Sequence, residues 1–239
     1  MPDVKMLNNV DHQDLRIITK KSAAYGDNVI GSLIFPAEIA QAHKEYPIYF
    51  QKSPETGEFQ LVALFGFADK ENLFLTDDGW QADCIPALIQ REPFMIGFQT
   101  EKGADEKKAV LHIDMDSPRI SNTEEGERVF LENGGNSPYL DHINKMLSVV
   151  HGGFESCKAL FSAFLELELI EPFVLEVEFK DGTQFKTDQY YTINQDKLLA
   201  LDDTTVGKLH RSGHLQLAYM VLQSLSNVKR LAKKRNALS

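Results

Sequence analysis

Apolar and polar positions alternate along this chain in two rhythms, period two in short runs and three-to-four in longer ones. Met1 to about Asp14 is polar and reads as loosely held, and Leu15-Arg16-Ile17-Ile18 follows as a short edge strand. The turn-prone Tyr25-Gly26-Asp27-Asn28 leads into an apolar segment, Val29–Phe35, which ends at Pro36, a residue suited to the first position of a helix. Ile39, Ala40 and His43 lie at helical spacing over Pro36–Lys44, and Pro47 stops that helix. Ile48 and Phe50 share a strand face, Pro54-Glu55-Thr56-Gly57 has type I turn residues, and Leu61–Phe65 returns as an almost unbroken apolar run. Such a run predicts a central strand covered on both faces. With Asn72–Leu75 as a third strand and Asp77-Asp78-Gly79 turning before Trp80, the pattern predicts a β-meander.

Farther along, a short helix is expected over Ile85–Arg91, strands over Phe94–Phe98 and Val110–Asp114, and a charged loop over Gly103–Lys108 between them. Met115–Asn136 is polar and is either an excursion over the surface, the favoured reading, or a functional lid. Ser137-Pro138 starts a helix whose apolar residues keep helical spacing down to Ile170, as one long helix or two collinear ones divided at Gly152-Gly153, with Pro172 as the stop. Phe173, Leu175, Val177 and Phe179 then alternate with charged residues. A three-residue loop at Asp181-Gly182 keeps Phe185 on the face of Phe179, which a two-residue loop would not. Asn194 and Asp202 cap two short helices, and one terminal amphipathic helix after Gly213 carries Leu217, Val221, Leu225, Val228 and Leu231. The expected fold is α+β: an N-terminal antiparallel β-meander packed with a long helix, a C-terminal β-hairpin and a terminal amphipathic helix. It is expected as a single domain over residues 1–239, with 120–137 as the place of any subdivision.

Composition narrows the function classes. A 43% hydrophobic content supports a sizeable core, and the net charge of −10 argues against nonspecific nucleic-acid binding. Cys84 and Cys157 read as buried, reduced thiols. The N-terminus lacks the apolar stretch of a secretory leader, and no window approaches the ~18 apolar residues of a membrane span. The expectation is a cytoplasmic protein.

Candidate chemistry centres on His112-Ile113-Asp114 and Asp116, since alternate residues of a strand share a face. With a distant histidine such as His151 or His210 they could form a facial triad for iron or another divalent metal. The competing reading is a strand end running into a turn where Asp116 and Ser117 cap the backbone. His210 and His214 have zinc-chelating i, i+4 spacing, but Gly213 interrupts the helix between them. Hydrolase, phosphate-loop and Cys-x-x-Cys motifs are missing from the sequence. Gly134–Ser137 reads as a turn plus helix cap, and the basic C-terminal residues as a solvated helix end.

An ordered series of motifs resembles the SapC family of bacterial proteins. It comprises Glu45-Tyr46-Pro47-Ile48, Pro54–Gly57 with Phe59, Val62–Gly66, Glu71–Phe74, and Ile113-Asp114 with Asp116–Arg119. It continues in Leu209–Arg211 with Gly213, and Leu225–Asn227 with Arg230-Leu231. The resemblance implies an accessory role, under a family name associated with surface layers and serum resistance, with no established catalytic residues. The functional expectation is therefore a non-catalytic accessory or binding protein, without a cofactor, that recognises a polypeptide or surface-layer-related component. Its candidate binding residues are Asp114, Asp116, Ser117, Arg119, His210 and Arg211. The alternative is a metal-dependent enzyme resembling non-haem iron oxygenases, with His112 and Asp114 as ligands.

Overall fold

Helix α3 (Pro138–Glu166) runs through the protein and joins its two hydrophobic cores. The computed structural model describes residues 3–100 and 107–238, so most of the charged loop expected at Gly103–Lys108 lies outside the described residues. The early strands are β1 (Val4–Met6), β2 (Arg16–Ile17), β3 (Gly31–Ile34), β4 (Ile48–Lys52), β5 (Phe59–Leu64), β6 (Leu75–Thr76) and β7 (Gly79–Trp80). Then come β8 (Phe94–Thr100), β9 (Lys107–Asp114), β10 (Ile120–Ser121), β11 (Glu127–Arg128), β12 (Ile170–Glu178) and β13 (Gln184–Ile193). The other helices are α1 (Ile39–Ala42), α2 (Ala87–Gln90), α4 (Gln195–Leu199), α5 (Asp203–Arg211), α6 (His214–Ser224) and α7 (Asn227–Asn236). This is an α+β fold with antiparallel sheets.

The larger core is built on a five-stranded sheet ordered β12-β13-β4-β5-β3. Leu61, Val62, Ala63 and Leu64 of β5 are all buried, as a strand between two neighbours and two covered faces requires. On one face Phe161 of α3 meets Phe50 and Phe59. On the other, Tyr49 stacks on Phe173 and Tyr190, beside Leu225 and Val228. The hairpin β12–β13 turns through Lys180-Asp181-Gly182, closed by Phe179 N–H on the Thr183 carbonyl. Its three-residue loop leaves Phe179 and Phe185 on one face, where both reach Phe67.

The smaller core contains Ile17, Phe94, Ile113 and Val129 and the first turns of α3 through Leu140, Ile143 and Leu147. Two three-stranded sheets enclose it, β1-β9-β8 and β10-β2-β11.

Several expectations change. The N-terminal segment is pinned, because β1 pairs with β9 over Val4–Met6. Strand β2 is central in its small sheet, not an edge. The excursion over 115–136 folds back onto β2 and buries Arg119, Val129 and Phe130. Asn72–Phe74 does not extend the meander: the Asn72 side chain holds the Asp27 carbonyl and the Phe74 N–H, and β6 pairs only with β7. The apolar segment Val29–Phe35 instead supplies the next strand, β3, antiparallel to β5. The terminal amphipathic segment is two helices, broken at Leu225-Ser226, where buried Ser224 and Asn227 bond to the backbone of Ile48, His43 and Tyr46.

Helix α3 is unbroken through Gly152-Gly153. Gly153 is there because Phe35 packs on the helix backbone: a Cβ at 153 would lie 2.2 Å from the ring. The helix ends at Glu166, before Pro172, which sits in edge strand β12 where a missing N–H is tolerated.

Candidate functional site

The turn after β9 is held by its own side chains. Asp114 Oδ1 accepts from the Asp116 N–H at 3.1 Å, and Ser117 Oγ from the Arg119 N–H at 3.3 Å. Asp116 Oδ2 accepts from the N–H of Asp3 at 2.9 Å, tying the turn to the start of β1. His112 lies back along β9 with its ring over Gly97, where a Cβ would come within 2.3 Å of it. Its buried Nδ1 has no hydrogen-bond partner. Among the described residues no three His, Cys, Asp or Glu side chains form a group able to hold a metal ion. Among the described residues, none joins His112 and Asp114 as the third ligand that a facial triad needs.

Arg119, at the end of that turn, points inward and is 2% exposed. Its Nη2 donates to both carboxylate oxygens of Asp27 at 2.6 Å, and Nη1 to the carbonyls of Ile18 and Lys20 at 3.1 Å. Tyr25 stacks against the guanidinium, 5.5 Å from the ring centroid, and Nε is buried without a partner. Asp27 also accepts from the Ser22 N–H at 2.7 Å, so the loop 22–27 closes around it. A second cation, Lys21, lies 3.7 Å from Asp27 and donates to the Ile89 carbonyl at 2.8 Å. Burial, and then repulsion from Arg119, lower the Lys21 amine to about 8 against the attraction of Asp27 and Glu92.

Lys21 and Arg119 border a cleft of about 490 Å³ between the loop after β2, helix α2 and the first turn of α3. Tyr139 and His142 of α3 face it, with Ile18, Ile85 and Ile143 as apolar wall. His142 Nε2 lies 2.8 Å from Gln90 Oε1. Burial raises the Tyr139 phenol, Arg119 opposing and Glu127 adding to the shift. The Tyr139 hydroxyl makes no hydrogen bond to a described residue.

A second concavity, about 500 Å³, lies across the larger core between α3 and the β3/β5 end of the sheet. Phe35, Phe59, Phe154, Phe161 and Leu165 line it. Phe154 is 48% and Leu165 51% exposed, which is high for large apolar side chains beside a groove. Strand β3 stops opposite Leu61, so Phe59 and Gln60 of β5 pair only with β4. Lys52 and Lys158 stand at the groove, Lys52 over the rings of Phe59 and Tyr191. Cys157 also lines it, its thiol pushed up to about 12, chiefly by burial.

Of the candidate binding and metal residues named from sequence, Arg119 alone borders one of these concavities. Asp114, Asp116 and Ser117 shape the turn that delivers it. His210 and Arg211 are exposed in the last turn of α5, where cations favour the helix dipole. Gly213 separates α5 from α6, so His210 and His214 do not share a helix. In the basic C-terminal segment, Arg230 donates to the Lys44 carbonyl and Arg235 pairs with Glu71 at 3.1 Å. Sequence reasoning passed over Lys21, Asp27 and Tyr139. Asp27 was visible only as a turn residue, and the other two carry no motif spacing.

The family model SapC matches residues 7–231, which takes in both cores, the cleft and the groove. The chain belongs to the SapC family. The match includes the turn that buries Arg119 and the strands and helix that form the groove in this SapC chain. Neither the curated proteins nor the solved structures contain a match. Among the described residues no helix is long and apolar enough to cross a membrane.

Proposed function

We propose that this protein is an accessory binding protein that takes an extended apolar segment of a partner polypeptide into the groove between α3 and β5. One observation carries the reading: an apolar trough with exposed Phe154 and Leu165 runs beside the start of β5, where Phe59 and Gln60 have strand pairing on one side only. A peptide laid along such an edge gains main-chain hydrogen bonds, and its alternate side chains drop into the trough. Lys52 and Lys158 favour a segment with acidic residues flanking its apolar ones. The free thiols Cys84 and Cys157 fit a reducing compartment, and the protein is placed in the cytoplasm in this reading.

The test is selection from a displayed library of random dodecapeptides on the full chain, with the selected peptides then measured by calorimetry. Leu165→Glu alters a side chain already half in solvent, and Phe154→Asp one that also packs on Phe35; with folding of each checked by circular dichroism, each is expected to weaken binding about tenfold or more. Failure to enrich any peptide, or peptides that bind both variants as well as the parent, would sink the proposal. So would a groove that takes long-chain fatty acids and no peptide.

A further inference from the structure

The cleft at Lys21 has a charge arrangement that the protein itself leaves incomplete. Two cations, Arg119 at 2% and Lys21 at 11% side-chain exposure, share one buried carboxylate, Asp27. Two further acids line the cleft but are open to solvent: Glu92, with a side chain 48% exposed, is paired with Arg91, and Glu127 is exposed. Burying an uncompensated positive charge is costly, and a bound anion removes the cost. The donors needed to hold one are already placed. Lys21 Nζ donates to the Ile89 carbonyl and lies 3.7 Å from Asp27, which leaves it a third proton to offer. The Tyr139 hydroxyl makes no hydrogen bond to a described residue. Pro138 and Tyr139 also bring the positive end of the 29-residue helix α3 to the cleft.

Ile18, Ile85, Pro138 and Ile143 form an apolar wall, Gln90, His142 and the carboxylates of Glu92 and Glu127 complete the lining, and the volume of about 490 Å³ falls within the range of small-molecule sites. We propose that this cleft binds a small organic acid, its carboxylate on Lys21 and Tyr139 and its apolar body against the isoleucines. This site is separate from the peptide groove and does not depend on it. A phosphate ester could offer the same charge; the carboxylates of Glu92 and Glu127 in the lining oppose a dianion, and with the apolar wall they favour a monocarboxylate.

Benzoate, its neutral counterpart benzamide, and inorganic phosphate are the probes, titrated into the full chain at pH 7 by calorimetry. Benzoate is expected to bind at least about tenfold more tightly than benzamide or phosphate, and Lys21→Met to weaken it by about tenfold. Tyr139→Phe is expected to weaken benzoate several-fold with no change in benzamide. A second readout uses the unmutated protein, with the Lys21 amine followed by NMR through a pH titration. Arg119, Asp27 and Glu92 act on that amine, and His142, Glu127 and Tyr139 face the same cleft. Saturation with benzoate moves its titration upward, since the anion favours the ammonium form. Benzamide binding as well as benzoate, phosphate binding more tightly than benzoate, or no binding of any probe overturns the assignment. So does an amine titration that benzoate leaves in place, even if Lys21→Met fails to fold.

Discussion

Gly152 and Gly153 offer a controlled measurement of what holds α3 against the larger core. Both are interior to one helix, so replacement by alanine brings the same intrinsic gain of about 0.8–1 kcal/mol. At 152 a Cβ meets nothing within 4 Å, and the gain should be realised in full. At 153 the Cβ would fall 2.2 Å from Phe35 Cγ, 2.3 Å from Cδ1 and 2.8 Å from Cβ. That last contact is at the root of the side chain, so rotating the ring does not relieve it. Phe35 is 2% exposed and packs edge-on against Phe154 at 5.1 Å, which leaves it little room. Overpacking of this kind costs about 1–3 kcal/mol, and expelling the ring would approach the roughly 3–5 kcal/mol of a lost core phenylalanine. Gly153→Ala is therefore expected to be destabilised by about 1–3 kcal/mol net, while Gly152→Ala gains up to about 1. In thermal unfolding this is a rise of about 2–4 °C for the first glycine and a fall of about 2–12 °C for the second. Calorimetry and urea titration of both variants measure it. Equal shifts, or a Gly153→Ala protein as stable as Gly152→Ala, would refute the close approach of Phe35.

Asp27→Asn leaves Arg119 buried without a charge partner, and unfolding measurements should show a loss of about 3–5 kcal/mol. Lys186→Ala, which breaks an exposed pair with Glu176, should cost less than about 1 kcal/mol in the same assay. The Lys21 amine has a pH signature: its folded value, about 8, is below the ordinary 10.5, so between them the unfolded chain holds more protons and stability contributed at this site rises with pH. The wild type should therefore gain on Lys21→Met by up to ~1.4 kcal/mol per pH unit across that window, with no such gain below about 8. The comparison with the variant is needed because Cys84, raised to about 11, and Cys157, raised to about 12, act in the opposite direction: unfolded thiols ionise first as pH rises. The same burial makes both thiols slow toward iodoacetamide at pH 8 in the native protein, and fast only after denaturation; rapid native labelling of either would contradict their environment.

The parts of the fold that could be read from sequence are those whose signals are local. Ser137-Pro138 announces the start of α3, Asn194 and Asp202 announce their helices, and the parity of Phe179 and Phe185 fixes the loop between β12 and β13. What escaped depends on partners distant in the chain. Val4–Met6 becomes a strand only because β9, more than a hundred residues later, supplies its ladder. The terminal apolar stripe carries an unbroken helical period, yet it divides at Leu225-Ser226, where Ser224 and Asn227 satisfy the backbone of Ile48, His43 and Tyr46. Periodicity reports which face is apolar; it does not report that buried polar groups elsewhere require a break.

The same limit governs the candidate site. Asp114, Asp116 and Arg119 stand close in sequence and invite a shared role, but only the arginine points inward, and its carboxylate comes from Asp27, ninety-two residues earlier. An Asp-Ser-Pro turn at a strand end is a local device for bonding its own N–H groups; Asp114 and Ser117 are occupied in that way, and Asp116 is taken by the N–H of Asp3. The pairing of β2 with β10 sets Ile18 opposite Arg119, the carbonyls of Ile18 and Lys20 receive its Nη1, and loop 22–27 brings Asp27 to its Nη2. A carboxylate and a guanidinium so deeply placed are interdependent: either alone is a buried charge, and together they fix how the first loop meets the turn after β9. Lys21 reaches the cleft because that loop is fixed. Its exposure to a ligand is thus a consequence of the ion pair behind it, and the order of dependence runs from Asp27 to Arg119 to Lys21.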